Sequence, residues 1–179
     1  MMWPGLGVGG YCLTKDPGFI KFSTRKFFRK KINFPIIEKS TSINKNMYKT
    51  SIQFVIENVK NLKRKKVLIC GISYREDTND LRYSPAIDFL NSIKSKSARV
   101  SIYDPFYKRV DNKKNFEFVD NFKNNYDIVI FCVAHDKFKK ISFSSLRNKI
   151  VFDLNRVLTN NQKYVLQKKG NSLFDLGVN

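Results

Sequence analysis

Apolar side chains at Tyr48, Ile52, Val55, Val59 and Leu62 recur at steps of four and three, which predicts one long amphipathic helix over residues 44–62. Ser40, Thr41 or Ser42 can cap its start. Before it, Phe19, Ile20, Phe22 and Phe27 predict a helix from Asp16 that breaks near residues 33–35, because the residue before a proline disfavours the α region. After residue 65 the rhythm changes. Short, β-rich apolar runs at 67–72, 99–103, 127–134, 149–154 and 172–176, with a shorter element near 116–119, predict strands, several of them continuous enough to be buried on both faces. Helices are predicted between them, from Ser84-Pro85 through Ile93 and over 160–169. Strands alternating with helices define an α/β fold, a doubly wound parallel sheet over 65–179 preceded by the long helices of 1–64. In such sheets ligands bind beyond the carboxyl ends of the strands, which brings residues 73–82, Asp104-Pro105, His135-Asp136 and Asn155-Arg156 to one edge.

A chain of 179 residues with 42% hydrophobic side chains is long enough for a proper core. Its 34 basic and 15 acidic residues give a net charge of +19 and a preference for anionic partners. The lysines are dispersed, and the clusters at 26–31 and 60–66 carry no nucleic-acid-binding module, so phosphates of a small nucleotide satisfy the charge as well as nucleic acid does. Three cysteines without framework spacing suit a reducing compartment. Cys70 and Cys132 sit in apolar runs and read as core, and a single His135 makes a metal site improbable. With neither a membrane-length apolar stretch nor a leader pattern, the chain is expected to be cytoplasmic.

Candidate chemistry concentrates in residues 4–17, PGLGVGGYCLTKDP. Glycine allows positive φ and a close approach of backbone to a ligand. Gly5, Gly7 and Gly10 fit G-x-G-x-x-G, but only four residues precede them, so this is not the dinucleotide fingerprint, which must follow a strand. Cys12 follows the glycines, where a thiolate helped by Lys15 could meet an electrophile. Asp16, four residues on, shares a helical face with Cys12 and could orient a water or accept a proton. The same residues also read as a turn and helix start, Asp16 before Pro17, with an incidental cysteine. A second dense segment, 73–84, holds Arg75, Asp77, Asp80 and Arg82, either forks for phosphate or mutual ion pairs on a solvated loop.

Two stretches carry a resemblance. GVGGYCLTKDP is similar to the catalytic-cysteine motif of the nucleotide-sugar 6-dehydrogenases that act on UDP-glucose, UDP-N-acetylhexosamines and GDP-mannose, and GISYREDTNDLRYSPAIDFL, residues 71–90, resembles that family's G-x-[AS]-[FY]-K-x-D-T-x-D-x-R-x-S-P segment. The resemblance implies an NAD-dependent double oxidation of a sugar C6 hydroxyl to a carboxylate, serving polysaccharide synthesis. Cys12 would add to the C6 aldehyde and pass through a thioester, with Asp16 helping a water release the acid. Gly9 and Gly10 would lie against the sugar, Tyr74 and Arg75 would contact the nucleotide sugar, and Lys15 and Arg82 would stand near the cofactor. Arg75 replaces the usual lysine. Asn155, with Arg156 one position beyond, matches a substrate-binding arginine. The family's central helices imply a homodimer, with helix 44–62 as its joining element. The family also possesses an amino-terminal NAD-binding domain that nothing here matches, so this chain is expected to be a carboxyl-terminal portion, inactive alone. The alternative is a non-catalytic nucleotide-binding or dimerisation remnant. Which UDP-sugar is used stays open.

Overall fold

The computed structural model describes residues 5–96, 99–107, 117–120 and 125–177, so Pro4 of the glycine stretch and Phe116 of the expected short element lie outside the described residues. Six strands, β1 (Lys66–Cys70), β2 (Arg99–Tyr103), β3 (Glu117–Phe118), β4 (Ile128–Phe131), β5 (Ile150–Asp153) and β6 (Ser172–Asp175), form one sheet in the order β3-β2-β1-β4-β5-β6. Every pairing is parallel, which is the predicted doubly wound sheet.

Register explains the core. Phe118, Ile102, Ile69, Ile130, Phe152 and Phe174 stand side by side in one row across all six strands. That face is covered by α3 (Pro35–Val59) and α4 (Pro85–Ser95), which bury Ile52, Val55, Phe89, Leu90 and Ile93 against it. One residue along each strand, the side chains turn over. Leu68, Val129, Phe131 and Val151 face Phe138 of α5 (Asp136–Lys139), Phe143, Leu146, and Leu166 of α6 (Asn160–Lys168). Both faces being covered is why these strands read as continuous apolar runs rather than alternating ones. Cys70 and Cys132 lie in this core, 0% and 1% exposed, and burial pushes both thiols well above their ordinary pKa. Thr159 and Gln162 start α6 with a reciprocal capping box.

The amino-terminal helices differ from the sequence reading in three ways. The helix expected from Asp16 is α2 (Pro17–Lys26), with Asp16 at its N-cap and Pro17 at its first position, but it ends at Lys26 rather than near residues 33–35, and a short α1 (Tyr11–Lys15) precedes it. The long helix begins at Pro35, not after Ser40–Ser42. Ser40 and Thr41 donate their hydroxyls to the carbonyls of Ile36 and Ile37 one turn back, an alternative to capping open to these residues inside a helix. Most consequential is the seam. Ile52, Val55 and Leu62 are buried, and Tyr48 and Val59 pack on them, within the chain's own core. A row of apolar side chains declares that something covers it, and here the sheet does, so the seam is no free face for a second subunit. No helix among the described residues is long and apolar enough to cross a membrane.

Candidate functional site

Residues 5–10 run as an extended loop over the carboxyl edge of the sheet. Asn44, on the inner side of α3, holds the loop: Val8 N–H donates to its Oδ1 at 2.8 Å and its Nδ2 donates to Val8 C=O at 2.7 Å. Gly10 N–H donates to the carbonyl of Arg82, tying the loop to the 73–84 segment. The glycines are required by this packing. At Gly10, φ 86°, a Cβ would stand 2.8 Å from the Tyr74 ring, and at Gly9 one would stand 2.6 Å from the Tyr83 carbonyl. Their close approach is therefore to this chain's own tyrosines.

Between loop and sheet lies an open cleft of about 770 Å³. It brings together Gly9, Gly10, Cys12, Tyr74, Arg75, Arg82 and Asn155 from three separate stretches of sequence. Cys12 is exposed in the first turn of α1. Arg75 lies 5.7 Å over the Tyr74 ring and has no carboxylate partner among the described residues. The Arg82 guanidinium instead forks onto Asp80, with Nη2–Oδ2 at 2.6 Å and Nε–Oδ2 at 2.9 Å, and lies 5.8 Å from the Tyr11 ring. Hydrogen bonding to Arg82 holds the Asp80 carboxyl below the usual carboxylate range and raises the guanidinium. The two readings of this segment thus divide between its arginines: Arg82 is ion-paired, and Arg75 is available to an anion.

Asn155 donates its Nδ2 to the Cys132 carbonyl at 3.3 Å and sits against Gly5. Its turn is held by Asp153, a buried carboxylate that accepts the N–H of Val157 at 2.8 Å and of Leu158 at 3.0 Å. Arg156, at φ 52° in the same turn, does not line the cleft. Nor do Lys15 and Asp16. They pair with each other at 2.6 Å, Lys15 Nζ also lying 3.8 Å over the Phe19 ring, and Lys15 lines a smaller hollow of about 280 Å³ between α2 and α3.

The sequence reading missed Asn44 and the bracket beneath the 73–84 segment. His135, fully buried between the rings of Phe106 and Phe138, accepts the N–H of Asp77 at its Nδ1, 3.0 Å. Its Nε2 comes within 3.3 Å of Asp104 Oδ2 without the alignment of a hydrogen bond. Asp104, placed at the correct edge from sequence, is 2% exposed and occupied by the N–H groups of Ile72 and Phe106. Both residues hold loops; neither offers charge to a ligand. An asparagine at an inner position of a long helix, where its propensity is poor, was the available signal for Asn44.

Fold and cleft define a doubly wound α/β domain whose ligand edge is roofed by a glycine loop carrying an exposed cysteine. The family model described as UDP-glucose/GDP-mannose dehydrogenase family, UDP binding domain, matches residues 68–160, and the chain belongs to that family. It is 32% identical over 167 residues to the UDP-N-acetyl-D-mannosamine dehydrogenase of Methanococcus aeolicus, covering 88% of this chain and 36% of the relative. The enzyme of the same name from Methanocaldococcus jannaschii is 28% identical over 184 residues, covering 97% of this chain and 39% of its own. In fold, the chain is similar to the crystal structure of NDP-N-acetyl-D-galactosaminuronic acid dehydrogenase from Methanosarcina mazei, with a TM-score of 0.82 at 22% identity over 99% of this chain and 40% of that one. The chain thus spans little more than a third of the length of the curated relatives it matches.

Proposed function

We propose that this chain is the nucleotide-gripping, cysteine-bearing part of a nucleotide-sugar 6-dehydrogenase that oxidises the C6 hydroxyl of a UDP-sugar to a carboxylate. One observation carries the reading: a single cleft at the carboxyl edge of a UDP-binding domain joins an exposed cysteine to an arginine with no carboxylate partner among the described residues. Arg75 would fork onto the diphosphate, Tyr74 and Asn155 would line the substrate, and Gly9 and Gly10 would keep the loop low over the sugar. The Cys12 sulfur would add to a C6 aldehyde, forming the C–S bond while the thiol proton passes to the aldehyde oxygen. Asp16 would act on the water that later releases the acid only after leaving Lys15, since the ion pair stands outside the cleft.

NAD is the hydride acceptor that the family resemblance supplies, and the described residues do not form a cradle for it. Among the described residues, Gly5, Gly7 and Gly10 lie in a loop that opens only the five-residue α1. Arg82 is the one residue of the cleft that the resemblance assigns to the cofactor's side, and Lys15 stands in the neighbouring hollow. No step through NAD is therefore derived from this chain. A homodimer through the helices before the sheet would use α1, α2 or the outward side of α3, since Ile52 and Val55 of α3 are buried on the sheet. A role in cytoplasmic synthesis of surface polysaccharide follows from the same family reading.

Cys12 offers a direct test, because Cys70 and Cys132 are buried and an alkylating reagent can reach only Cys12 without unfolding. A UDP-sugar is expected to slow alkylation of Cys12, and UDP alone to slow it less, the sugar being the part that reaches the thiol. Alkylation indifferent to the UDP-sugar, with UDP binding intact by calorimetry, would remove Cys12 from the site and leave a nucleotide-binding domain.

A further inference from the structure

His135, the one histidine of the chain, is fully buried between the rings of Phe106 and Phe138, and its two nitrogens face different parts of the ligand edge. Nδ1 accepts the N–H of Asp77 at 3.0 Å, so in the neutral ring that nitrogen carries the lone pair and Nε2 the proton. Nε2 stands 3.3 Å from Asp104 Oδ2, the same oxygen that accepts the N–H of Ile72 at 2.8 Å. Bent as the Nε2 contact is, a buried carboxylate beside it favours the proton there and the lone pair at Nδ1. In the sheet β1 lies between β2 and β4. Asp104, after β2, and His135, after β4, therefore meet over the end of β1 and hold the segment that leaves it at two points, Ile72 and Asp77.

Arg75 stands between those two points. The segment's own turn bonds, from Ser73 Oγ to the Thr78 carbonyl at 2.7 Å and from Tyr74 N–H to the Asp80 carbonyl at 3.0 Å, shape the loop without fastening it to the sheet. On the Asp77 side the fastening comes from the loop after β4: His135 Nδ1 takes the N–H of Asp77, and Asp136 N–H donates to Asp77 Oδ1 at 3.1 Å. Asp77 has φ 47°, a left-handed backbone that a well-placed acceptor helps to keep. We propose that His135 is a positioning residue for the nucleotide. It touches no ligand; its Nδ1 lone pair fixes where Asp77 stands, and with it Arg75 two residues before, at the wall of the cleft. The assignment rests on the proposed reading of Arg75 as the group that meets the diphosphate.

Two side-chain amides separate the lone pair from the bulk of the ring. In His135→Asn the amide oxygen hangs on Cγ, as Nδ1 does, and can accept the Asp77 N–H. In His135→Gln the amide reaches the place of Nε2 and leaves that N–H without its acceptor. Packing alone would rank the two the other way, because glutamine fills more of the space between Phe106 and Phe138. With UDP as the probe and the 179-residue chain, His135→Asn is expected to keep the calorimetric affinity within about threefold of the parent, and His135→Gln to lower it about tenfold. Exchange of the Asp77 amide should stay slow in the asparagine variant and become fast in the glutamine one. On an Arg75→Ala background the glutamine change should cost less than about twofold, since the position it upsets is that of Arg75. Equal losses in the two variants, the reverse ranking, or a glutamine effect that is the same with and without Arg75 overturns the proposal. So does a nitrogen-15 spectrum of the parent, which needs no variant, if its one histidine carries the proton on Nδ1. If the parent binds no UDP, it is the nucleotide reading that fails. The hold on the segment is then decided by Asp77 exchange alone: slow with asparagine and fast with glutamine if His135 positions it, alike in both if it does not.

Discussion

Single carboxylates organise the ligand edge, and their burial decides what each contributes. Asp153 is 1% exposed and accepts three backbone N–H groups, from Asn155, Val157 and Leu158, while Lys163 stands 3.5 Å away. Asp153→Ala strands those donors in the interior, and a loss of about 3 kcal/mol in urea unfolding is expected. A loss below about 1 kcal/mol would show that water takes over the turn, as it can for exposed groups. Asp80 is the opposite case. Its partner Arg82 is 67% exposed in its side chain, so solvent screens the pair and its worth is small. The sign is nonetheless definite. Hydrogen bonds from the Arg82 guanidinium, then from its backbone N–H, lower the carboxyl in the folded state. The pair therefore adds stability at and above the ordinary carboxylate range and loses it as pH falls through the lowered folded value. Thermal unfolding followed through the acid range should show Asp80→Asn converging on the parent at low pH, and divergence there would contradict the assigned direction.

Among elements, α3 joins the two halves of the site. Its far half is part of the sheet's core through Ile52 and Val55, and its near half carries Asn44, which grips the glycine loop. The loop thus inherits its position from a rigid helix. Asn44→Ala should cost about 1–2 kcal/mol for two lost hydrogen bonds. It should also raise the exchange rate of the Val8 amide and, the proposed function putting the sugar under this loop, weaken UDP-sugar binding more than UDP binding. An unchanged Val8 exchange rate would mean that Gly10 and Arg82 suffice to hold it. The same helix shows where sequence stops being informative. Strands buried on both faces announce themselves as unbroken apolar runs, so Val67–Cys70 and Ile128–Phe131 were legible. Period gave the apolar side of α3 and could not say what covers it, since the seam looks the same against a sheet or a second subunit. Gly9 and Gly10 were legible as sites of close approach, but their neighbour, Tyr74, is far off in sequence and arrives only with the fold. Arg82 was legible as a cation, and its partnership with Asp80 depended on a turn that pattern does not fix.

For the molecule as a whole, grip on a nucleotide and oxidation of a sugar make separable demands on structure. The parallel sheet, the 73–84 segment and the glycine loop converge on one cleft within the described residues, and the proposed function puts the nucleotide there. UDP should therefore stabilise the 179-residue chain by itself, by about 2.7 kcal/mol at a hundredfold excess over its dissociation constant. Oxidation also needs a dinucleotide laid beside the C6 carbon, and the glycine pattern that would cradle one is engaged with Tyr74 and Asn44 instead. Incubation of the purified chain with NAD and a UDP-sugar should then give no rise in absorbance from NADH, although the thermal shift with the same UDP-sugar is present. If NADH forms, and Cys12→Ser abolishes it, the cleft holds both ligands and grip and oxidation are not separable in this chain. If neither NADH nor a thermal shift is seen, the cleft is not a nucleotide site in this chain, and the basic charge of +19 has to be accounted for by its other anionic contacts.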